Sequence, residues 1–334
     1  MTIQVRRPGL LSTLQDLGRY GYQKYGVMAG GAMDGFAHRA ANRLVGNDDA
    51  EATLEMTVTG PVLYFEEPAL ISLCGSDLSP RIDGIPIPSW RPIYVRAGGT
   101  LQFGSAREGC RCYLAVSGGF NVPPRMNSCS TYLRAGLGGF EGRALQADDR
   151  LLLKPATSLG KRMMRRLSEQ SPEAPFSAPA WRVSYEMVPD YKANPEIRVM
   201  PGGQYHWLEE AGRKAFFESE FKVLPQSDRM GYRLSGTPLY MAKPQELLSE
   251  PVAFGTVQVP PDGHPIVLMA DRQTTGGYPK VAQVMTADLP LLAQASIGSR
   301  IRFRLVDLKE AQAALLRTEW NLDLLQLSIQ MFFQ

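Results

Sequence analysis

Residues 271–280, D-R-Q-T-T-G-G-Y-P-K, bring an acid, a guanidinium, an amide, two hydroxyls and paired glycines into one short stretch. They follow the apolar run P-I-V-L-M-A at 265–270, so a strand is expected to deliver them as a polar loop. Gly276 and Gly277 let backbone N–H groups approach a ligand closely. Arg272, Gln273, Thr274 and Thr275 supply donors for a carboxylate, a phosphate or a polarised carbonyl, and Tyr278 adds a phenol. The same composition also suits an ordinary solvated turn.

Two further polar segments could join this loop in a compact barrel: P-G-G-Q-Y-H at 201–206, with Gln204 and His206, and S-D-R-M-G-Y at 227–232. Ser227, Asp228, Arg229, Gln258 and Arg272 form an acid, hydroxyl, amide and cation set suited to holding a carboxylate or amide and stabilising charge on oxygen. Local pairing of Asp228 with Arg229 is the alternative. In the first half, residues 12–34 offer Ser12, Gln15, Asp16, Arg19 and Tyr22 as ligand contacts, or else form a covering loop whose tyrosines pack. Glycine-rich turns at 117–120 and 134–142 lack the G-x-G-x-x-G spacing of a dinucleotide site.

The chain has three histidines, His38, His206 and His264, and only His206 falls near a candidate segment. A histidine-based triad and a zinc site are therefore disfavoured. Neither G-x-S-x-G nor a P-loop occurs. Cys110 and Cys112 would share a sheet face, but without neighbouring histidines they read as reduced thiols, as do Cys74 and Cys129; no metal is expected. Chemistry here would be oriented by Arg, Gln, Thr and carboxylate groups.

These loops need a scaffold, and 334 residues with 44% hydrophobic content suffice for about two cores. Glycine (32) and proline (25) punctuate short Val-, Ile- and Tyr-rich segments, which predicts a mainly β chain with a few helices. Helices are expected at 33–44, with Asp34 as cap and Gly46 as stop, at 204–217, and at 307–317 with a possible amphipathic extension. An internal repeat pairs Asp16, G-Y at 21–22 and E-x-x-x-x-G-x-V at 55–62 with Asp228, G-Y at 231–232 and the same pattern at 250–257. Two related β domains follow, at 1–157 and 195–310, joined by a Pro/Ser-rich linker at 158–194 and ending in a helical tail at 311–334.

A net charge of +3 with no long basic run disfavours nucleic acid as a partner. No apolar run approaches the ~20 residues of a membrane helix, and the first residues show no targeting pattern, so a cytoplasmic location and no membrane contact are expected.

The motifs S-T-L-Q-D-L-G-R-Y-G-Y from Ser12, A-N-R-L-V-G-N-D from Ala41, L-E-M-T-V-T-G-P from Leu54, V-S-G-G-F from Val116, L-R-A-G-L-G-G-F-E-G-R from Leu133, M-P-G-G-Q-Y from Met200, S-D-R-M-G-Y-R-L from Ser227 and D-R-Q-T-T-G-G-Y-P from Asp271 occur in one order over residues 3–310. In this the chain resembles the KipA, or allophanate hydrolase subunit 2, family of biotin-dependent carboxyltransferase domains. The resemblance implies two tandem cyclophilin-like β-barrel domains and a KipI (allophanate hydrolase subunit 1)-like partner. It implies a place in an ATP-dependent 5-oxoprolinase complex, which opens 5-oxoproline to L-glutamate and in which a chain of this kind works with a KipI-like B subunit and an A subunit. Alternatives are a carboxyltransferase component fed by a partner's carboxybiotin, and a regulatory protein that binds a KipI-type kinase inhibitor. No biotinyl motif or ATP loop is present, so the chain is expected to bind no cofactor by itself and to be inactive alone. In this reading Arg272 and Gln273 stabilise charge on a small planar amide, and Asp228 or Tyr278 manages a proton.

Overall fold

The computed structural model describes residues 1–243 and 245–334. Two compact units emerge, one of Met1–Arg19, Asp34–Pro189 and Glu319–Gln334, the other of Tyr20–Met33 and Asp190–Thr318. Strands dominate both, and the described residues contain five α-helices: α1 Gly35–Leu44, α2 Ser158–Gln170, α3 Glu210–Glu218, α4 Leu289–Gln294 and α5 Leu308–Phe332.

The first unit holds two six-stranded sheets. One runs Arg150–Leu152, Thr2–Arg7, Val62–Phe65, Thr100–Gln102, Arg81–Ile82 and Ile85–Pro86; the other runs Phe176–Ser177, Pro92–Val95, Ala69–Gly75, Arg111–Val116, Thr53–Thr57 and Leu11–Gln15. Ala69–Gly75 and Arg111–Val116 are buried along their whole lengths, the pattern of strands covered on both faces. Leu54, Met56, Leu63, Phe65, Ile71 and Leu114 belong to the core they share. Helix α1 begins as its sequence predicts: the Asp34 carboxylate accepts the Ala37 N–H at 2.9 Å, and Gly46 follows the end with φ +75°.

The second unit is a closed seven-stranded barrel in the order Glu196–Pro201, Lys280–Val284, Thr256–Gln258, Ile266–Leu268, Gly231–Ser235, Phe221–Val223 and Arg300–Leu305. Closure is made by parallel pairing of Arg300–Leu305 with Glu196–Pro201. Closing the sheet removes its edges and encloses Val199, Phe216, Phe221, Val257, Val267 and Phe303. A two-stranded ribbon, Glu250–Pro251 with Thr275–Gly276, is inserted between barrel strands in chain order.

Three expectations need correction. Residues 158–170 of the supposed linker form α2, because Gly160, Met163 and Leu167 recur at helical spacing and are buried while the arginines between them face out. The segment up to Pro189 is thus part of the first unit. Residues 20–33 leave the first half of the sequence and belong to the second unit, where Met33 joins the barrel core. The helix expected over 204–217 is interrupted: a short 3-10 turn at Tyr205–Trp207 precedes α3. The C-terminal helix does extend through the tail, to Phe332.

The repeat motifs occupy strands in both units but with different neighbours. Val62–Phe65 pairs with Thr2–Arg7 and Thr100–Gln102, whereas Thr256–Gln258 pairs with Ile266–Leu268 and Lys280–Val284.

Candidate functional site

The polar loop after Ile266–Leu268 is fixed at both ends. At its start, Asp271 accepts two hydrogen bonds from the Arg229 guanidinium, Nε to Oδ2 at 2.8 Å and Nη2 to Oδ1 at 3.0 Å. Both residues are buried, and Arg229 Nη2 also donates to the Gly31 carbonyl at 2.6 Å. A bidentate pair held in this way sets the direction in which the loop leaves the strand. At its end, the Gln204 Oε1 accepts the Lys280 N–H at 3.1 Å and the Gln204 N–H donates to the Lys280 carbonyl, also at 3.1 Å.

Between these anchors Arg272 is half-buried. Its nitrogens lie 3.4 to 3.5 Å from the carbonyl oxygens of Val252, Met269 and Ala270, contacts at the long limit of hydrogen bonding. Its guanidinium lies 5.8 Å from the Phe254 ring centre. Among the described residues no carboxylate comes within 4.0 Å of it. Burial pulls the Arg272 pKa down from the usual arginine value, while Tyr20 and Asp271 act against that shift. A side chain so basic stays protonated at neutral pH. A desolvated cation with donor capacity to spare is what an anionic or polarised oxygen would complete.

The surrounding groups are amides and hydroxyls. Buried Gln258 donates from Nε2 to the Tyr278 carbonyl at 3.3 Å. A Cβ added to Gly276 would meet Gln258 Nε2 at 2.5 Å and Gln273 Nε2 at 3.3 Å, so both amides flank the Gly276 backbone. Gly277 is less confined, with Ser249 Oγ at 3.4 Å from its built Cβ. Thr274 accepts the Val252 N–H at its carbonyl, 3.2 Å, and Thr275 pairs with Pro251 in the ribbon. The Tyr278 side chain is 44% exposed, leaving its phenol available to solvent or a ligand.

Not every expected residue joins this group. Ser227 and Asp228 are taken up by a turn: Ser227 Oγ accepts the Arg233 N–H at 3.1 Å, and Asp228 Oδ1 accepts the N–H groups of Met230 and Gly231 at 2.8 and 3.2 Å. Arg229 pairs with Asp271 and not with its neighbour, so it positions the loop, with at least two of its nitrogens committed there. His206 is exposed on the 3-10 turn, its ring edge-on to Trp207. Reading residue types missed the Lys280–Glu250 ion pair, which ties the loop's last residue to the ribbon strand opposite Gly276. Lys280 closes the motif and Glu250 opens the second copy of the E-x-x-x-x-G-x-V pattern, so both were visible in the sequence, though not their contact.

The polar cluster of the first unit is bonded mostly within the fold, although the buried Gln15 Oε1 has no hydrogen-bond partner among the described residues. Asp16 is buried; its Oδ1 accepts from the Gly18 N–H at 2.8 Å, Ser128 Oγ at 2.8 Å and Ser130 Oγ at 2.5 Å, and its Oδ2 accepts from the Cys129 N–H at 2.5 Å. Fully buried Arg19 donates to the carbonyls of Arg125 and Ser130 at 3.0 and 2.8 Å. Ser12 bonds the Pro8 carbonyl, and Gln15 bonds Thr13 and the Thr131 carbonyl. Gly138 of the 134–142 turn packs so closely that an added Cβ would sit 2.2 Å from the Ser130 oxygen. These residues hold a fold together. Cys74, Cys110 and Cys112 are buried, and burial pushes each thiol up from its ordinary value.

Residues 25–305 match the family model for the carboxyltransferase domain, subdomains A and B. The chain belongs to that family. It is 39% identical over 312 residues to the C subunit of 5-oxoprolinase from Haemophilus influenzae, covering 93% of this chain and 94% of the relative. It is likewise 39% identical over 313 residues to the C subunit of 5-oxoprolinase from Escherichia coli, with the same coverage. It is also 30% identical to urea amidolyase of Saccharomyces cerevisiae, across 90% of this chain and 16% of that protein. The crystal structure of the K. lactis urea amidolyase superposes with a TM-score of 0.86 at 28% identity, over 97% of this chain and 20% of the other. The motif order read from the sequence pointed to this same family. No helix among the described residues is long and apolar enough to cross a membrane.

Proposed function

We propose that this chain is the C-type subunit of a 5-oxoprolinase, a complex that opens the lactam 5-oxoproline to L-glutamate at the expense of ATP. The observation that carries the reading is the 39% identity to named 5-oxoprolinase C subunits over nearly the whole of both lengths. In this reading the chain acts with a KipI-like B subunit and an A subunit, holds no cofactor of its own, and is inactive alone. The complex works in the cytoplasm.

The loop chemistry supports it. A lactam such as 5-oxoproline presents a planar amide and a carboxylate, both of which place negative charge or lone pairs on oxygen. Arg272, half-buried beside carbonyls and with no carboxylate within 4.0 Å among the described residues, is the group suited to take that charge. Gln273, Thr274, Thr275 and the Gly276–Gly277 backbone provide neutral donors around it. Tyr278 is the better candidate than Asp228 for moving a proton, because an Asp228 oxygen already accepts two backbone N–H groups. Gln204, Arg229 and Gln258 act by holding the loop in place. Mixing the chain with its B and A partners and following ATP-dependent glutamate release, with each component omitted in turn, tests the proposal. Turnover that survives omission of this chain would refute it.

The carboxyltransferase-domain match and the superposition on urea amidolyase favour a second reading, carboxyl transfer from a partner's carboxybiotin to a ureido or amide substrate. That reading predicts biotin-dependent transfer, and no glutamate, from the same complex.

A further inference from the structure

The C-terminal half of α5 carries apolar side chains on two opposite faces. At about 100° per residue, Leu322, Leu325, Ile329 and Phe333 fall on one side, and all four are buried. Trp320, Leu324, Leu327 and Met331 fall within an arc of about 60° on the opposite side, and they are 65, 40, 55 and 73% exposed. A helix apolar on both faces is built to be covered on both. A row of four large exposed side chains is more than the scattered single residues that a monomer's surface ordinarily shows.

The sequence around the row indicates what covers it. From 319 to 334 the only charged side chains are those of Glu319 and Asp323, and these bind back to α1, Glu319 to Arg39 at 2.7 Å and Asp323 to Arg43 at 3.0 Å. Asn321, Gln326, Ser328 and Gln330 complete the flanks. An interfacial membrane helix would carry Lys or Arg beside its apolar face, and this segment has none. The spacing of the row is the second clue. Its intervals of four, three and four residues are symmetric about the point between Leu325 and Gln326, so the row superposes on itself when turned end for end. That self-complementarity is what an isologous twofold contact requires.

We propose that α5 packs antiparallel against α5 of a second copy of this chain, making a twofold homodimer. Trp320 of one copy then lies opposite Met331 of the other, and Leu324 opposite Leu327, in a knobs-into-holes seam without opposed charges. The helix lies beyond residues 25–305, which match the family model.

Four side chains per copy make the core of a modest interface, and dimerisation is expected in the micromolar range. Sedimentation equilibrium of the full chain from about 1 to 100 µM should show the mass doubling. Leu327→Glu should weaken association at least about 100-fold, whereas Leu10→Glu, at a somewhat more exposed leucine elsewhere, should not. Unchanged far-UV circular dichroism and melting would show that each variant folds. For the register, an oxidised mixture of Leu324→Cys and Leu327→Cys chains should form the mixed disulfide faster than Trp320→Cys chains form their own. A monomer at every concentration, a dimer indifferent to Leu327→Glu, a mass increase only when a different protein is added, or preferential Trp320→Cys pairing would each overturn the proposal.

Discussion

Asp16 and Asp228 stand at matching places in the internal repeat, each a few residues before a Gly-Tyr pair, yet their surroundings are opposite. Asp16 is buried and accepts four hydrogen bonds from three successive residues, 128–130, and from Gly18. Asp228 is exposed and caps a tight turn, while its neighbour Arg229 turns inward to hold Asp271. In the first unit the residues of the Asp16 cluster bond chiefly to one another and to the backbone, with Gln15 Oε1 left over. In the second, one pair is consumed so that the next residue, Arg272, keeps unspent donors. Polar density alone does not mark a site; Arg272 is set apart by donors that reach carbonyls only at 3.4 to 3.5 Å within a loop whose other groups are amides and hydroxyls.

The contrast can be broken at several points, and the largest effect is expected at Asp16. Asp16→Ala would leave two serine hydroxyls and two backbone N–H groups without their acceptor in a buried place. Urea unfolding should show a loss of about 3–5 kcal/mol. A loss below about 1 kcal/mol would mean that water or rearrangement satisfies the cluster.

Arg229→Ala strands the buried Asp271 carboxylate and should cost about 3 kcal/mol. It should also depress turnover of the reconstituted complex, because the loop loses its anchor. Stability lost with turnover intact would show that the clamp serves the barrel alone.

His38, on α1, gives a pH effect of intermediate size. Its ring nitrogens bond Thr53 Oγ1 at 2.8 Å and the Asp49 carbonyl at 2.9 Å, and burial holds its pKa below the ordinary 6.5. The folded chain therefore binds fewer protons here than the unfolded chain just below pH 6.5. Stability from this group is complete above about 6.5 and is lost as pH falls, by at most about 1.4 kcal/mol per pH unit. Melting curves of His38→Gln should be flatter between pH 6.5 and 5 than those of the parent. Equal slopes would remove His38 as the cause.

Asp228→Ala should do least, changing stability by under about 1 kcal/mol, since an exposed turn can be capped by water. If it abolished turnover while leaving the fold intact, Asp228 and not Tyr278 would be the proton-handling group.

Much of this architecture was legible because it is written locally. The Asp34 cap, the Gly46 stop and the short apolar runs each act within a few residues, and the 271–280 loop announces itself by composition. Helix α2 was masked by its own charge: Met163 and Leu167 stand four apart, but K-R-M-M-R-R reads first as a basic patch. The exchange of residues 20–33 into the second unit has no local signal, since Gly31 and Met33 find their partners, Arg229 and the barrel core, about 200 residues away. For the same reason the sequence could nominate Arg229 as a ligand contact but could not reveal that Asp271 occupies it. The repeat was real as a pattern of residues, while the neighbours of its strands were decided by long-range pairing in each unit.

The most direct test of the account is ATP-dependent glutamate formation from 5-oxoproline by the reconstituted complex carrying Arg272→Ala, alongside a melting curve of the variant chain. The account predicts a folded chain that still joins the complex and a rate reduced at least about 100-fold, as for the loss of one charge-stabilising donor. A rate within about twofold of the parent would contradict it, and would move the chemistry away from the 271–280 loop.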